Sequence, residues 1–160
     1  MVNGQGPFEF VLDTAASKTT LTQALVDELG FAPIEGMAVS GHGASGAAQF
    51  KFYRVESVSL AGLPVSGTVL PAIPVPALEG PVFYGILGAD FLRWYAVGIN
   101  STEATMTFGD AAPAPDGHAA VPMNELMHGL MTLTLESGGT GITAVVDTGA
   151  RFSILNEAAC

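Results

Sequence analysis

Residues 10–17 read Phe10-Val11-Leu12-Asp13-Thr14-Ala15-Ala16-Ser17, and a version of this stretch returns near the end of the chain. There, residues 144–151 read Ala144-Val145-Val146-Asp147-Thr148-Gly149-Ala150-Arg151. In both copies three apolar residues precede the Asp, and a Thr and then a very small residue follow it. Self-similarity of this kind indicates an internal repeat of one structural unit.

The match continues on both sides of the motif at one constant offset and without gaps. Positions further along the two copies hold residues of similar character: Thr19 with Ser153, Leu21 with Leu155, Gln23 with Glu157, and Ala24 with Ala158. Upstream, Asn3-Gly4 corresponds to Ser137-Gly138. Each copy therefore predicts a turn, a buried strand, and an Asp at the end of that strand.

Composition excludes several classes of function. With 49% hydrophobic and 12% charged residues, the chain can bury a core and is not expected to be disordered. The net charge of -10 argues against binding to nucleic acid or to anionic membrane surfaces. Pro, Asp and Arg interrupt the apolar stretches, so no membrane-spanning segment is predicted.

Metal, cofactor and serine chemistry find little support. The single Cys, at position 160, predicts no disulfide, and three scattered His residues without Cys partners argue against a metal site. No stretch calls for a cofactor. Ser17 and Ser153 have no neighbouring His, so a serine nucleophile is weakly supported.

Local patterns predict an all-β fold with one or two short helices. Many short apolar runs are separated by Gly-containing turns, which is typical of strands. A helix is predicted over residues 23–29, with Thr22 as its N-cap and Gly30 as its C-cap. A second short helix is predicted at 89–94, after a buried strand that ends at Gly88, where another backbone should come close.

A Gly-rich tip joins two predicted strands between residues 37 and 58. Gly and Ser carry little side chain to fix such a tip, so the hairpin is expected to be mobile. Two interpretations remain open, an ordinary exposed turn and a lid that closes over an extended substrate. His42 could touch that substrate, although a loop His is more often solvated.

Two equivalent Asp residues at equivalent strand ends suggest that pseudo-symmetry brings their carboxylates together. Two carboxylates in close contact cannot both ionise readily, so they share a proton, and one acts as base while the other acts as acid. Such a pair can activate a water against an amide carbonyl and then protonate the leaving nitrogen. Small residues at Ala15 and Gly149 would let the loops approach, and Thr14 and Thr148 could bond between them.

Together with Ile86-Leu87-Gly88, the two Asp-Thr loops resemble the signatures of retropepsin-like aspartic proteases, and the tandem arrangement is similar to bacterial two-lobed members. The resemblance implies a closed-barrel acid-protease lobe and a peptide or protein substrate. It implies that Asp13 and Asp147 are the catalytic pair. It further implies residues that support the pair, namely Thr14, Ala15, Thr148, Gly149 and Gly88, and residues of a substrate-binding flap, namely Gly41, His42 and Gly43.

The resemblance also divides the chain. Residues 1–110 correspond to a first lobe without its first strand, 111–118 to an Ala- and Pro-rich linker, and 119–160 to the opening hairpin of an incomplete second lobe. Because exposed strand edges seek partners, the tail is expected to add a strand to a lobe of its own or of a neighbouring copy, by dimerisation or strand exchange. Alone, this chain could be inactive. An extracytoplasmic location is what the resemblance and the missing N-terminal strand suggest.

Two functions follow as hypotheses. The first is an aspartic endopeptidase that hydrolyses peptide bonds with a water activated between two aspartates. The alternative is a non-catalytic peptide-binding or dimerisation module that retains the lobe, and Ala15 in place of the usual Gly motivates it. Among the other residues, Asp90 is expected in a capping or surface role. Core or interface positions are expected for Trp94 and Tyr95, and packing positions for the methionines Met123, Met127 and Met131.

Overall fold

The computed structural model describes residues 1–43, 46–74, 83–110 and 116–157. The chain forms two compact units, one of residues 1–11 and 19–86 and the other of residues 12–18 and 87–160. Strands make up 48% of the structure and helices 8%, and the two helices are short, which confirms the all-β prediction. Closure of the sheet into a barrel stays a prediction, as do the lobe boundaries and the linker, of which residues 111–115 lie outside the described range.

A six-stranded sheet carries the first unit. Its strands are β1 (Phe10–Leu12), β2 (Thr20–Thr22), β3 (Pro33–Gly43), β4 (Gly46–Leu60), β5 (Leu63–Ile73) and β6 (Gly85–Leu87), in the order β1-β6-β2-β5-β4-β3. Strands β3, β4 and β5 form an antiparallel meander. Strand β2 lies between β5, to which it is parallel, and β6, to which it is antiparallel.

The turn between β4 and β5 shows how local sequence sets this meander. Ala61 and Gly62 both have positive φ, at 48° and 83°. Two such residues form the tight turn whose twist matches that of the flanking strands. Gly62 adopts this conformation without steric cost, because it has no Cβ.

The core of the first unit lies around β2, β4 and β5. Its fully buried side chains come from four separate segments of sequence: Val2, Leu21, Leu25, Val26, Tyr53, Val55, Val58, Leu70 and Ala72. Aromatic side chains, among them Phe8, Phe10 and Tyr84, pack against this cluster and are partly buried. Burial of this apolar surface is the main term that stabilises the unit.

Helix α1 (Gln23–Glu28) begins at the predicted N-cap, Thr22, and its C-cap is Leu29, one residue before the predicted Gly30. The hydroxyl of Thr22 accepts a hydrogen bond from the Leu25 amide at 3.2 Å. At the other end Gly30 has a φ of 67°, its amide donates to Asp27 O, and the Phe31 amide donates to Val26 O. This pair of bonds is the Schellman arrangement, which glycine favours because it has no Cβ to resist positive φ.

The second unit contains the remaining elements. They are helix α2 (Ala89–Leu92) and the strands β7 (Ala96–Asn100), β8 (Thr105–Gly109), β9 (Asn124–Glu125), β10 (Met131–Ser137) and β11 (Thr140–Val145). Strands β7 and β8 form an antiparallel hairpin, and Phe91, Tyr95 and Phe108 pack ring against ring beside it. No helix in the described part of the chain is long and apolar enough to cross a membrane.

The tail forms a sheet of its own, in the order β11-β10-β9. The sequence predicted that the tail would add a strand to the first lobe, and within one chain this is wrong for the described residues. The reason is that β10 already pairs with β11 along one edge and with β9 along the other. Strand exchange between copies stays a prediction.

Three large apolar side chains lie on the surface against expectation. Trp94 is 74% exposed, and the guanidinium of Arg93 lies 5.6 Å from the centre of its ring. Met123 and Met127 are also exposed, because they flank the two-residue strand β9 and do not lie within a paired strand. The predicted packing positions of Met123 and Met127 were therefore wrong, and a core position is excluded for Trp94, for which an interface position stays a prediction.

Replacing Leu21 with Ala should lower the free energy of unfolding by about 2 to 5 kcal/mol, because Leu21 is fully buried and the change leaves a cavity. Its repeat counterpart Leu155 is 61% exposed. The same substitution there should change stability by less than about 0.5 kcal/mol. Urea denaturation of both variants measures the difference, and equal losses would contradict the burial of Leu21.

Candidate active site

Asp13 and Asp147 both lie just after a strand, and backbone amides hold their carboxyl groups in the same way. Asp13 comes directly after β1, and its Oδ1 accepts hydrogen bonds from the amides of Ala15 and Ala16 at 2.8 and 2.9 Å. Asp147 comes two residues after the end of β11, and its Oδ1 accepts from Gly149 and Ala150 at 2.8 and 3.0 Å. These are Asx turns, in which the side chain closes its own loop. We call residues 13–16 the first Asp loop and residues 147–150 the second Asp loop.

The two Asp loops bind each other through their threonines. Thr14 Oγ1 donates to Val146 O at 2.6 Å, and Thr148 Oγ1 donates to Leu12 O at 2.9 Å. In addition, the Thr14 amide donates to Thr148 Oγ1 at 3.2 Å, and the Thr148 amide donates to Thr14 Oγ1 at 3.1 Å. The four bonds are reciprocal: when each residue is replaced by its counterpart 134 positions away, every bond of one Asp loop becomes the matching bond of the other.

The chemistry of Thr explains this arrangement. A hydroxyl carries one donor and two acceptor sites, so each Thr can donate to a carbonyl and accept from an amide at once. A typical net contribution is about 1 kcal/mol per hydrogen bond, and a lost partner costs more where the group left behind is removed from water. The reciprocal set therefore fixes the relative placement of the two Asp loops.

Gly149 lies between the two carboxylates. A Cβ built on Gly149 would lie 2.8 Å from Asp13 Cγ and 2.9 Å from Asp13 Oδ2, closer than real Cβ atoms approach. Its amide meanwhile donates to Asp147 Oδ1. One residue therefore borders both acids, and the absence of a side chain at this position is what allows Asp13 to lie there.

The first Asp loop is supported by the segment around Gly88. The Asp13 amide donates to Leu87 O at 3.1 Å, and the Ala89 amide donates to Ala16 O at 2.8 Å. A Cβ on Gly88 would lie 2.6 Å from the carbonyl carbon of Lys18. The close backbone approach predicted at the end of this strand is thus made to the first Asp loop itself.

The surroundings of the two acids differ in exposure. Asp13 is half-buried, whereas Asp147 is exposed. Among ion pairs of the described residues, Lys18 lies 4.0 Å from Asp90 in the first turn of α2, and neither Asp13 nor Asp147 takes part in such a pair. Asp90 is half-buried, and the N-cap of α2 is Gly88, so Asp90 does not take the capping position that the sequence allowed for it.

One supporting contact was missed by sequence reasoning. Glu125 Oε1 accepts a hydrogen bond from the Gly129 amide at 2.9 Å, and Glu125 Oε2 lies 3.6 Å from Arg93, the C-cap of α2. Gly129, with a φ of 85°, packs its Cα against Ala89. The turn after β9 is in this way docked on α2. The Gly at a turn was the one available signal, and it does not identify the partner.

The predicted flap residues lie in the hairpin of the first unit. Gly41, His42 and Gly43 form the end of β3 and pair with Ala48, Ala47 and Gly46 of β4. A Cβ on Gly41 would lie 2.7 Å from the ring of Phe50, so this strand crosses an aromatic face closely. The tip residues 44–45 and the His42 side chain fall outside the described part of the structure.

The described residues do not provide the ligands of a metal site. In the described ranges, no group of three or more His, Cys, Asp or Glu side chains is placed to hold a metal ion. The arrangement instead offers two carboxylates on paired loops, and carboxylates of this kind can exchange protons with water and substrate.

A family model described as aspartyl protease matches residues 1–91, a range that includes the first Asp loop, the β3–β4 hairpin and Gly88. A search of curated proteins finds no match.

Replacing Thr14 with Val should loosen the contact between the Asp loops, because the Thr148 amide loses its acceptor and Val146 O loses its donor. Thr148→Val should have an equal effect by the exchanged bonds. We expect each change to cost about 1 to 3 kcal/mol. Hydrogen exchange at the amide of the unaltered Thr measures this loss.

A matched control is Thr143→Val in β11, where the side chain is exposed. It should leave both amides as protected as before. Unequal effects of Thr14→Val and Thr148→Val would contradict the reciprocal arrangement.

Proposed function

This chain belongs to the aspartyl protease family, and we propose that it hydrolyses peptide bonds with a water held between Asp13 and Asp147. The observation that carries the proposal is the reciprocal hydrogen bonding of Thr14 and Thr148. This bonding favours a pair of acids because it makes the two Asp loops equivalent. It also leaves both carboxylates next to Gly149.

In the proposed reaction one carboxylate takes a proton from the water as its oxygen attacks the amide carbonyl carbon. The protonated carboxyl of the other Asp donates to the carbonyl oxygen, which gives a tetrahedral diol. Collapse of the diol breaks the carbon–nitrogen bond, while the carboxyl that took the proton of the water delivers it to the leaving nitrogen and the other carboxylate takes a proton back from a diol hydroxyl. The sum is one water consumed and a carboxylic acid and an amine released.

The Asx turns give this reaction a fixed frame. In each Asp loop Oδ1 is bound to two backbone amides, so the plane of the carboxyl group does not rotate freely. Groups held in place before the reaction lose little entropy on reaching the transition state. Thr14, Ala15, Thr148, Gly149 and Gly88 act in this proposal as positioning residues and do not touch the substrate.

The substrate is proposed to be an extended peptide that contacts the β3–β4 hairpin. Support comes from Gly41 and Gly43 on either side of His42. Because these two glycines have no side chains, the backbone amides and carbonyls of β3 are open to an approaching main chain. A hairpin with few side chains near its end can also move to admit and release a peptide.

We also propose that residues 1–110 form one lobe, 111–118 a linker and 119–160 the opening of a second lobe. The support is a difference between the two copies of the repeat. Leu21 is fully buried, whereas its counterpart Leu155 is 61% exposed, as is the neighbouring Phe152 at 70%. These apolar side chains are suited to burial against further protein, including a second copy of the chain.

A second candidate function is peptide binding without cleavage. It is favoured by Ala15, which stands where the second Asp loop has Gly149 and thereby makes the two Asp loops unequal. A binding module would hold a peptide with equal affinity after loss of either carboxyl group, whereas a protease would lose turnover.

Replacing Asp13 or Asp147 with Asn should each reduce kcat for a mixed peptide library by about 100-fold or more, because an amide cannot accept or release the proton. Cleavage products identified by mass spectrometry at acidic and neutral pH measure the effect. Asp116→Asn, in an exposed turn, is the matched control and should leave the rate unchanged.

The two candidate functions separate in this experiment. Peptide binding that survives both substitutions without any cleavage by the unaltered chain would support the binding module. Cleavage that needs Asp13 but not Asp147 would contradict a pair formed from both Asp loops.

Replacing His42 with Ala should raise KM by about 3- to 10-fold and leave kcat within about twofold, if the hairpin contacts bound peptide uniformly in ground and transition states. Steady-state kinetics on one peptide separate the two constants. Glu56→Ala, at an exposed position of β4 well along the strand from the tip, is the control. An unchanged KM for His42→Ala would argue against a role of this side chain in binding.

A further inference from the structure

The two Asp loops differ at one position of the motif that pairs them. Every hydrogen bond made by Thr14 has a counterpart made by Thr148, and the Asx turns of Asp13 and Asp147 also match. The residue after the Thr breaks this equivalence, because the first Asp loop has Ala15 and the second has Gly149. The methyl group of Ala15 is therefore the feature that distinguishes the paired surfaces.

Asp13 requires a residue without a side chain opposite to it. A Cβ at Gly149 would lie 2.8 Å from Asp13 Cγ, 2.9 Å from its Oδ2 and 3.3 Å from its Cβ. Real Cβ atoms essentially never come closer than 3.0 Å to such neighbours. An Asp loop that carries Ala at this position cannot face Asp13 unless the carboxyl group leaves its place.

Ala15 is the counterpart of Gly149 in the first Asp loop. The equivalence of the two loops therefore puts the methyl group of Ala15 on the side of Asp147. This single methyl is accommodated, since the pairing bonds on both sides remain short. The two acids differ in the way this requires: Asp147 is exposed, whereas Asp13 is half-buried. By this equivalence the carboxyl group on the methyl side is that of Asp147, the more exposed of the two acids.

Two first Asp loops, from two copies of the chain, would meet a different constraint. Each Asp13 would then face an Ala15 methyl, and both carboxyl groups would have to move. We propose that Ala15 restricts the Asp13 loop to a Gly-containing partner, the Asp147 loop, and prevents two Asp13 loops from pairing. Where the paired loops serve the proposed hydrolysis, the acids are then one Asp13 and one Asp147, and a pair of Asp13 residues is excluded.

Gly149→Ala tests this within one chain, because it recreates the contact that two Asp13 loops would make. Hydrogen exchange at the amides of Thr14 and Thr148 reports the pairing, since each amide donates to the hydroxyl of the other residue. We expect exchange at both amides to become roughly 10- to 100-fold faster, the range that overpacking by one methyl implies. The Leu29 amide in α1 should stay protected and shows that the first unit remains folded.

Two further variants make the test specific. Gly141→Ala is the matched control in β11, because a Cβ there would make an ordinary contact of 3.5 Å with Thr134 Cγ2. It should leave the exchange rates unchanged. Adding Ala15→Gly to Gly149→Ala leaves the Cβ of residue 149 against Asp13, so both amides should exchange as fast as in Gly149→Ala alone, to within about threefold.

Normal exchange in Gly149→Ala would overturn the proposal, and so would a double variant in which both exchange rates return to normal, because the clash would then not lie between residue 149 and Asp13. Peptide cleavage by the same variants is measured in parallel. Absence of cleavage from the unaltered chain would count against the proposed hydrolysis, while the exchange rates would still decide whether the methyl groups control pairing.

Discussion

The site depends on two threonine hydroxyls, each of which donates to the carbonyl before the opposite Asp and accepts the amide of the opposite Thr. No single bond of this set is strong in water, since each contributes about 1 kcal/mol. Their value lies in geometry, because four bonds in fixed directions leave the Asp loops one way to meet. The placement of both carboxyl groups, and any chemistry that needs two of them, follows from this contact.

The rest of the second unit holds that contact in place from behind. Gly88 lets α2 begin directly against the first Asp loop, with the Ala89 amide bound to Ala16. The turn at Gly129 docks on the same helix through Glu125 and Arg93, and strands β10 and β11 run from that turn to the second Asp loop. The Asp loops are thus connected twice, directly by threonines and indirectly through α2.

Much of this could be predicted from the sequence because the repeat carries it. An Asp preceded by apolar residues and followed by Thr and a small residue predicted both strand ends, and Thr22 and Gly30 predicted where α1 begins and ends. The packing positions of Met123 and Met127 and a core position for Trp94 were wrong, because hydrophobicity says that a side chain favours burial and not whether a covering surface is present. The docking of Glu125 and Gly129 on α2 had no motif, since it joins segments distant in sequence.

A functional pair formed by Asp13 and Asp147 of one chain can be distinguished from a pair formed between two chains by mixing two variants. Chains carrying Asp13→Asn and Asp147→Asn are combined in equal amounts over a range of concentrations, with the unaltered chain as reference. For a pair within one chain, the mixture should cleave peptides no faster than either variant alone. The unaltered chain should cleave at a rate per molecule that does not depend on concentration. Activity that returns on mixing and rises with concentration would contradict a pair within one chain.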